Sequence, residues 1–212
     1  MTDEQATIYV VDDDAALRKG LSLSLKERGF DVESHASAAS FLDAVDTDRH
    51  SCLVLDIRMP QTTGLELQDE LIRRGITIPI IFITGHGDIP MTARAMRRGA
   101  VDFLEKPYQL SMLLQRIGEA LAMDRKARDK ACAEYVVRQR FERLTRREAE
   151  VMALIVAGAS NTTNRAVAQR LGIGPRTVET YRARLMEKMQ ARSLPELVSM
   201  AKICGIYEPD PS

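Results

Sequence analysis

The 212-residue sequence reads as two domains of different class: a five-stranded parallel, doubly wound α/β domain over 1–122, a helical linker over 123–142, and an all-α domain over 143–212. Three observations predict this. Short apolar runs alternate five times with amphipathic helices in the first half, the mark of a parallel sheet covered on both faces. From residue 143 onward only helical periodicity remains, broken by short polar loops. The charge also changes sign. Residues 1–122 hold 19 acidic and 13 basic side chains, a net of −6, whereas 123–212 hold 11 and 17, a net of +6.

The first strand is Ile8-Tyr9-Val10-Val11, and Leu17, Leu21 and Leu25 then mark one face of a helix over 14–28, stopped by Gly29. A weak strand over 31–34 and a helix over 38–46 follow. Leu53-Val54-Leu55 is a strand that ends on Asp56, and residues 63–74 are a helix closed by Gly75. Ile78–Ile83 is a strongly apolar strand in which Pro79 fits only near the start. A helix over 88–98, a strand over Val101–Leu104 and a helix from Gln109 complete the fifth repeat. Beyond Leu121 the apolar seam thins to Ala127, Ala131 and Tyr135 among charges, which defines the linker.

In the second half, Thr145 and Glu148 form a candidate capping box before a helix over Arg146–Ala157. A polar loop with Ser160, Asn161 and Thr162-Thr163 leads to a helix over 165–171. Gly172-Ile173-Gly174 is a turn, and Pro175 suits the first position of a helix running to Met189. A last helix lies over 195–205, and the final YEPDPS is expected to lack order. Short helices joined in this way are the pattern of a helix-turn-helix domain.

Composition excludes several classes. Hydrophobic residues make up 45% and charged residues 28%, ordinary for a globular protein. No apolar run reaches the roughly 20 residues of a membrane span. The acidic start is unlike a signal peptide, so the expected location is the cytoplasm. Cys52, Cys132 and Cys204 fall in no metal-binding spacing and read as reduced thiols.

In a doubly wound sheet, sites form beyond the C-terminal ends of the strands. Those ends carry Asp12-Asp13-Asp14, Asp56, Thr84-Gly85-His86-Gly87 and Lys106-Pro107. Clustered carboxylates repel and call for a divalent cation, and oxygen-only ligands suit Mg²⁺. A cation and a lysine together can neutralise a phosphoryl group on Asp56, with Thr84 donating to it. Taken singly, each feature is more often a helix cap or a solvated turn. Their joint occurrence at four strand ends favours a site. His86, between two glycines, reads as a loop residue in preference to a ligand.

The motifs VVDDD, LVLDIRMP, ITGHGD and DFLEKP over residues 6–122 resemble the CheY-like, flavodoxin-like receiver domain of two-component response regulators. The resemblance implies Asp56 as phospho-acceptor, and Asp12, Asp13, Asp56 and the backbone carbonyl of Arg58 as the Mg²⁺ shell. It implies Thr84 and Phe103 as switch residues, Lys106 as the phosphate-binding lysine, and Arg58 and His86 as neighbours that tune phosphoryl lifetime. A sensor histidine kinase is the implied partner.

Residues 143–205, with LTRREAEVMALIVAGASN and PRTVETYRARLMEKM, resemble the LuxR-type helix-turn-helix of the FixJ/NarL regulators. Val178, Tyr181, Leu185 and Met189 share an inner face of the helix 175–189. The outer face is predicted to meet double-stranded DNA. Glu179, Thr180, Ala183 and Arg184 are placed near bases, and Arg176, Thr177, Arg182 and Lys188 near phosphates. The loop before helix 165–171 is about three residues longer than the family pattern. The last helix, with Leu197, Val198, Met200, Ala201 and Ile203, fits either a dimer contact or a core face.

The expected function is that of a transcription factor phosphorylated on Asp56, forming a homodimer on phosphorylation or on DNA and engaging RNA polymerase. No membrane is involved, and no enzyme activity is expected beyond slow loss of its own phosphoryl group. The alternative is a phosphorylation-independent DNA-binding dimer with a structural receiver. A haloacid-dehalogenase-type enzyme needs a second Asp two residues after the first, where Arg58 stands.

Overall fold

The computed structural model describes residues 6–85, 89–158 and 163–206. The chain divides into two compact units, 1–128 and 129–212. The expected site residue His86 and the loop residues Ser160, Asn161 and Thr162 lie outside the described residues, as does the tail from Tyr207.

The first unit holds five parallel strands in the order β2-β1-β3-β4-β5. They are β1 (Thr7–Val11), β2 (Asp31–His35), β3 (Ser51–Asp56), β4 (Ile80–Thr84) and β5 (Asp102–Glu105). Between them run α1 (Ala15–Lys26), α2 (Ala38–Ala44), α3 (Gly64–Arg73) and α4 (Ile89–Arg97). Alternation along the strands assigns the two faces. Tyr9, Val11, Leu53, Leu55 and Phe82 pack with Phe41 of α2, Leu67 and Leu71 of α3 and Ala95 of α4. Ile8, Val10, Val54, Ile81 and Ile83 pack on the other face with Leu25 of α1 and with Leu113 and Ile117 of α5 (Leu110–Glu142). Burying each such Leu or Ile stabilises the unit by roughly 1.5–3 kcal/mol.

Several boundaries differ from the sequence reading, and two have a clear physical reason. Pro79 precedes β4 instead of starting it, and its carbonyl accepts from Leu53 N at 2.9 Å. The helix after β5 and the linker form one element, α5 (Leu110–Glu142). Its linker portion has lost the apolar seam but is rich in Ala, Arg, Lys and Glu, which propagate a helix without one.

The second unit contains α6 (Arg146–Ala157), α7 (Asn164–Leu171), α8 (Pro175–Met189) and α9 (Leu194–Ile203). The capping box at Thr145 and Glu148 is present. Thr163, from the lengthened loop, caps α7 by accepting from Ala166 N at 3.2 Å. Val178, Leu185 and Met189 of α8 are buried and Tyr181 is half-buried, as the 3-4 spacing requires. Of the two readings of α9, this chain by itself favours the core face. Leu197, Met200 and Ala201 are buried, and Val198 and Ile203 pack against them.

Candidate functional site

Beside β1 the strand order departs from sequence order, since β1 lies between β2 and β3. Loops leaving such a point diverge and open a crevice at the strand ends. Asp12 follows β1, and Asp56 ends β3. The register pairs Asp56 with Ile83 and Val11 with Leu55, which brings the ends of β1, β3 and β4 level.

The three aspartates of the DDD run separate into two roles. Asp14 is the N-cap of α1, accepting from Ala16 N at 2.8 Å and Leu17 N at 3.1 Å. Those two backbone bonds hold its carboxyl below the usual range. Asp12 and Asp13 instead join Asp56. One ligand atom from each of these three residues lies within 4.8 Å of the others, with Asp12 and Asp56 buried and Asp13 exposed.

Lys106 enters this cluster from the end of β5. Its Nζ donates to Asp56 Oδ2 at 2.7 Å and to Asp12 Oδ2 at 2.9 Å. The peptide Lys106–Pro107 is cis, and Lys106 N donates to Thr84 O at 2.7 Å. Burial disfavours the ammonium, but the bonds to Asp56 and Asp12 outweigh it, and its pKa stands above the ordinary lysine value. For Asp12 burial wins. Its pKa is raised although Lys106 and the Asp14 amide pull it down. One ammonium among three carboxylates leaves the cluster net negative, and a divalent cation suits the remaining charge. Asp12, Asp13 and Asp56 fit Mg²⁺ as hard oxygen ligands.

The other predicted members are placed as follows. Arg58 N donates to Asp56 Oδ1 at 3.1 Å, so its peptide adjoins the carboxylate while its side chain is exposed. Thr84 is fully buried at the end of β4. Phe103 is opposite Phe82 in the β4–β5 register and half-buried against the core. A largely apolar cavity of about 280 Å³ at the opposite end of the sheet, walled by Leu71, Ile78 and Val101, takes no part in this site.

Gly64 is a member the sequence reading passed over. A Cβ there lies 2.4 Å from the Asp56 carbonyl oxygen and 3.0 Å from Ile57 Cα. Only glycine lets α3 start against the backbone that carries Asp56. The Gly following LDIRMP was its signal.

In the second unit, Arg176, Thr177, Glu179, Thr180, Ala183 and Arg184 are exposed on α8. Arg176, Thr177, Thr180, Tyr181 and Arg184 line one open hollow. Arg182 is half-buried and its Nη1 donates to Asn164 Oδ1 at 3.3 Å, which ties α8 to α7. Lys188 turns inward. Its Nζ donates to the buried Glu148 carboxylate at 2.7 Å and to Arg143 O at 3.3 Å. Burial pushes the Glu148 carboxyl up, but Lys188 and Thr145 outweigh it and hold it below the usual range.

The fold and this crevice define a class, the receiver domain, joined to a helical DNA-binding unit. Known proteins agree. The sequence profile of the response regulator receiver domain matches residues 8–118, and that of bacterial regulatory proteins of the luxR family matches 142–201. The chain is 44% identical to the transcriptional regulatory protein FixJ of Azorhizobium caulinodans, over 98% of this chain and 97% of that one. It is 45% identical to nodulation protein W of Bradyrhizobium diazoefficiens, over 95% of this chain and 88% of that one. Among solved structures it is similar to the response regulator StyR, with a TM-score of 0.81 and 41% identity, covering 93% of this chain and 98% of that one. The chain belongs to the two-component response regulators that join a receiver to a LuxR-type DNA-binding domain, of the FixJ kind. Among the described residues, no helix is long and apolar enough to cross a membrane.

Proposed function

We propose that this regulator is a cytoplasmic transcription factor switched by phosphorylation of Asp56. The carrying observation is the Lys106 ammonium bridging Asp56 and Asp12 within a trio of acids at the strand ends. The donor is the phosphohistidine of a sensor histidine kinase. A carboxylate oxygen of Asp56 attacks phosphorus, the P–N bond breaks, and its electron pair leaves on the imidazole. Lys106 is placed to stay on the Asp56 side and pair with the new phosphoryl oxygens. Asp12, Asp13, Asp56 and the Arg58 carbonyl would hold Mg²⁺, which would supply charge neutralisation at the transferring group.

Thr84 then donates to the phosphoryl group, and Phe103, one strand over, repacks with it. The equilibrium shifts toward a state that pairs two copies and commits α8 to the major groove of double-stranded DNA. Glu179, Thr180, Ala183 and Arg184 read bases, and Arg176, Thr177 and Arg182 hold phosphates. Lys188, expected on a phosphate, has its ammonium on Glu148, and its part here is to hold α8 on α6. RNA polymerase is the downstream partner.

The test is intact mass after incubation with acetyl phosphate and Mg²⁺, for wild type and Asp56→Asn. One added phosphoryl group on wild type alone is the expected result. No gain on folded wild type, from acetyl phosphate or from a kinase, favours the phosphorylation-independent DNA-binding dimer.

A further inference from the structure

A second cluster of charged groups lies at the other end of β3, far from the acceptor. Asp124 sits on α5, beyond the segment matched by the receiver profile, and is 4% exposed. Its Oδ2 takes three donors: Arg128 Nε at 2.7 Å, His50 Nδ1 at 2.9 Å and Ser51 N at 3.1 Å. The Arg128 Nη atoms donate to the carbonyls of Thr47 and Asp48, each at 2.8 Å, and to that of Arg49. A buried carboxylate and three loop carbonyls are thus gathered on one guanidinium. Charge-assisted bonds of this kind fix geometry more firmly than an exposed ion pair does.

The position of this cluster gives it a mechanical meaning. Ser51 is the first residue of β3 and Asp56 the last. The strand is wholly buried, paired with β1 over Ser51–Leu55 and with β4 over Leu53–Asp56, so it acts as a stiff bar about 17–20 Å long. Lys106, which bonds Asp56, lies four residues before α5 begins. The helix is therefore tied to the phosphorylation site twice. Its start follows Lys106, and Asp124, further along, is bolted to the foot of the strand that carries Asp56. Past this bolt α5 continues without a break to Glu142, and the compact unit ends at Arg128.

We propose that Asp124 and Arg128 are positioning residues of the output, forming a pivot through which movement at Lys106 is passed into the linker half of α5. This rests on the reading that Asp56 accepts a phosphoryl group. When the phosphoryl group draws Lys106 to itself, the head of α5 shifts while Asp124 holds at the foot of β3, and the arm beyond Arg128 is reoriented. The receiver accordingly extends functionally to Arg128 and not to residue 122.

The experiment uses the full chain as wild type, Arg128→Ala, Arg128→Lys and Asp124→Asn, with acetyl phosphate and Mg²⁺. Intact mass gives the extent of phosphorylation, and hydrogen exchange gives the protection of α5 amides before and after. In wild type, phosphorylation is expected to change exchange over 129–142 by about fivefold or more, the lower end of ordinary allosteric coupling. Arg128→Ala and Asp124→Asn should take up phosphoryl to the same extent yet show less than about a twofold change there. Arg128→Lys, which keeps the charge and some of the bonds, should lie between. Thermal melting of each variant separates lost coupling from lost fold. Equal phosphorylation with an undiminished linker response in a folded Arg128→Ala protein overturns the pivot, as does a phosphorylated wild type whose 129–142 exchange never changes. Absence of phosphoryl uptake by wild type counts against the functional reading itself.

Discussion

Two lysines in this chain meet buried carboxylates at the same distance, 2.7 Å, and do different work. Lys106 faces two acids, with Asp13 also nearby, so its single charge leaves the cluster net negative. Lys188 faces one, Glu148, whose other bonds go to Thr145. The first pair is incomplete, and its surplus of carboxylates suits a divalent cation. The second is closed, with charges matched one to one, and joins α8 to the first turn of α6. An ion pair at a functional site is recognised here by its surplus charge, not by its length.

The largest effect is expected where steric room is least. Gly64→Ala puts a Cβ against the Asp56 carbonyl and should destabilise the receiver by about 2–3 kcal/mol. Thermal melting should show it, with slowed phosphoryl uptake and an unchanged second unit. Lys188→Met leaves Glu148 buried without its cation. Because Lys188 is 36% exposed, solvent screens the pair, and a loss of about 2 kcal/mol in the second unit is expected. Lys106→Met sets the two lysines directly against each other. It frees Asp12 and Asp56 for a divalent ion, so Mg²⁺ should raise the melting temperature of this variant more than that of wild type. Mg²⁺ should do nothing for Lys188→Met beyond its effect on wild type. An equal Mg²⁺ response in all three would remove the distinction between an incomplete and a closed pair.

Asp12, Asp56, Thr84 and Lys106 are legible in the sequence because each stands at or just past the end of a short apolar run. The crevice at β1 and β3 then follows from topology alone. The inner face of α8 was legible for a similar reason, a regular 3-4 spacing. What escaped was polar and distant. Asp124 and Arg128 lie 74 to 81 residues from the groups they bind at His50 and Thr47, and no periodicity links them. Lys188 is expected on DNA because a basic residue near the end of a helix has the same appearance in sequence whichever way it turns. Only the fold shows Glu148 beneath it. The linker reads as helical but distinct from α5 because its apolar seam fades; helix propensity, the Arg128 bonds and the burial of Val137 carry one helix through.

Acid separates the two pairs most finely. Glu148 is held below its ordinary value of 4.5, so its contribution is complete above about that pH and is lost as pH falls through the folded value. Asp12 is raised above 3.8, so its charge is a cost at neutral pH, and protonation relieves that cost as pH falls through the raised value. Lys106, raised above 10.5, keeps its contribution throughout the acid range and loses it only on the alkaline side. Melting of the second unit should therefore fall as pH is lowered from about 5 toward 3.5, and Glu148→Gln should flatten that slope while lowering stability at pH 7. Over the same range Asp12→Asn should be less acid-dependent in the opposite sense, with higher stability than wild type at pH 7 in the absence of Mg²⁺. A second unit whose melting ignores pH down to 3.5, with Glu148 intact, would show that the Lys188 lock contributes nothing.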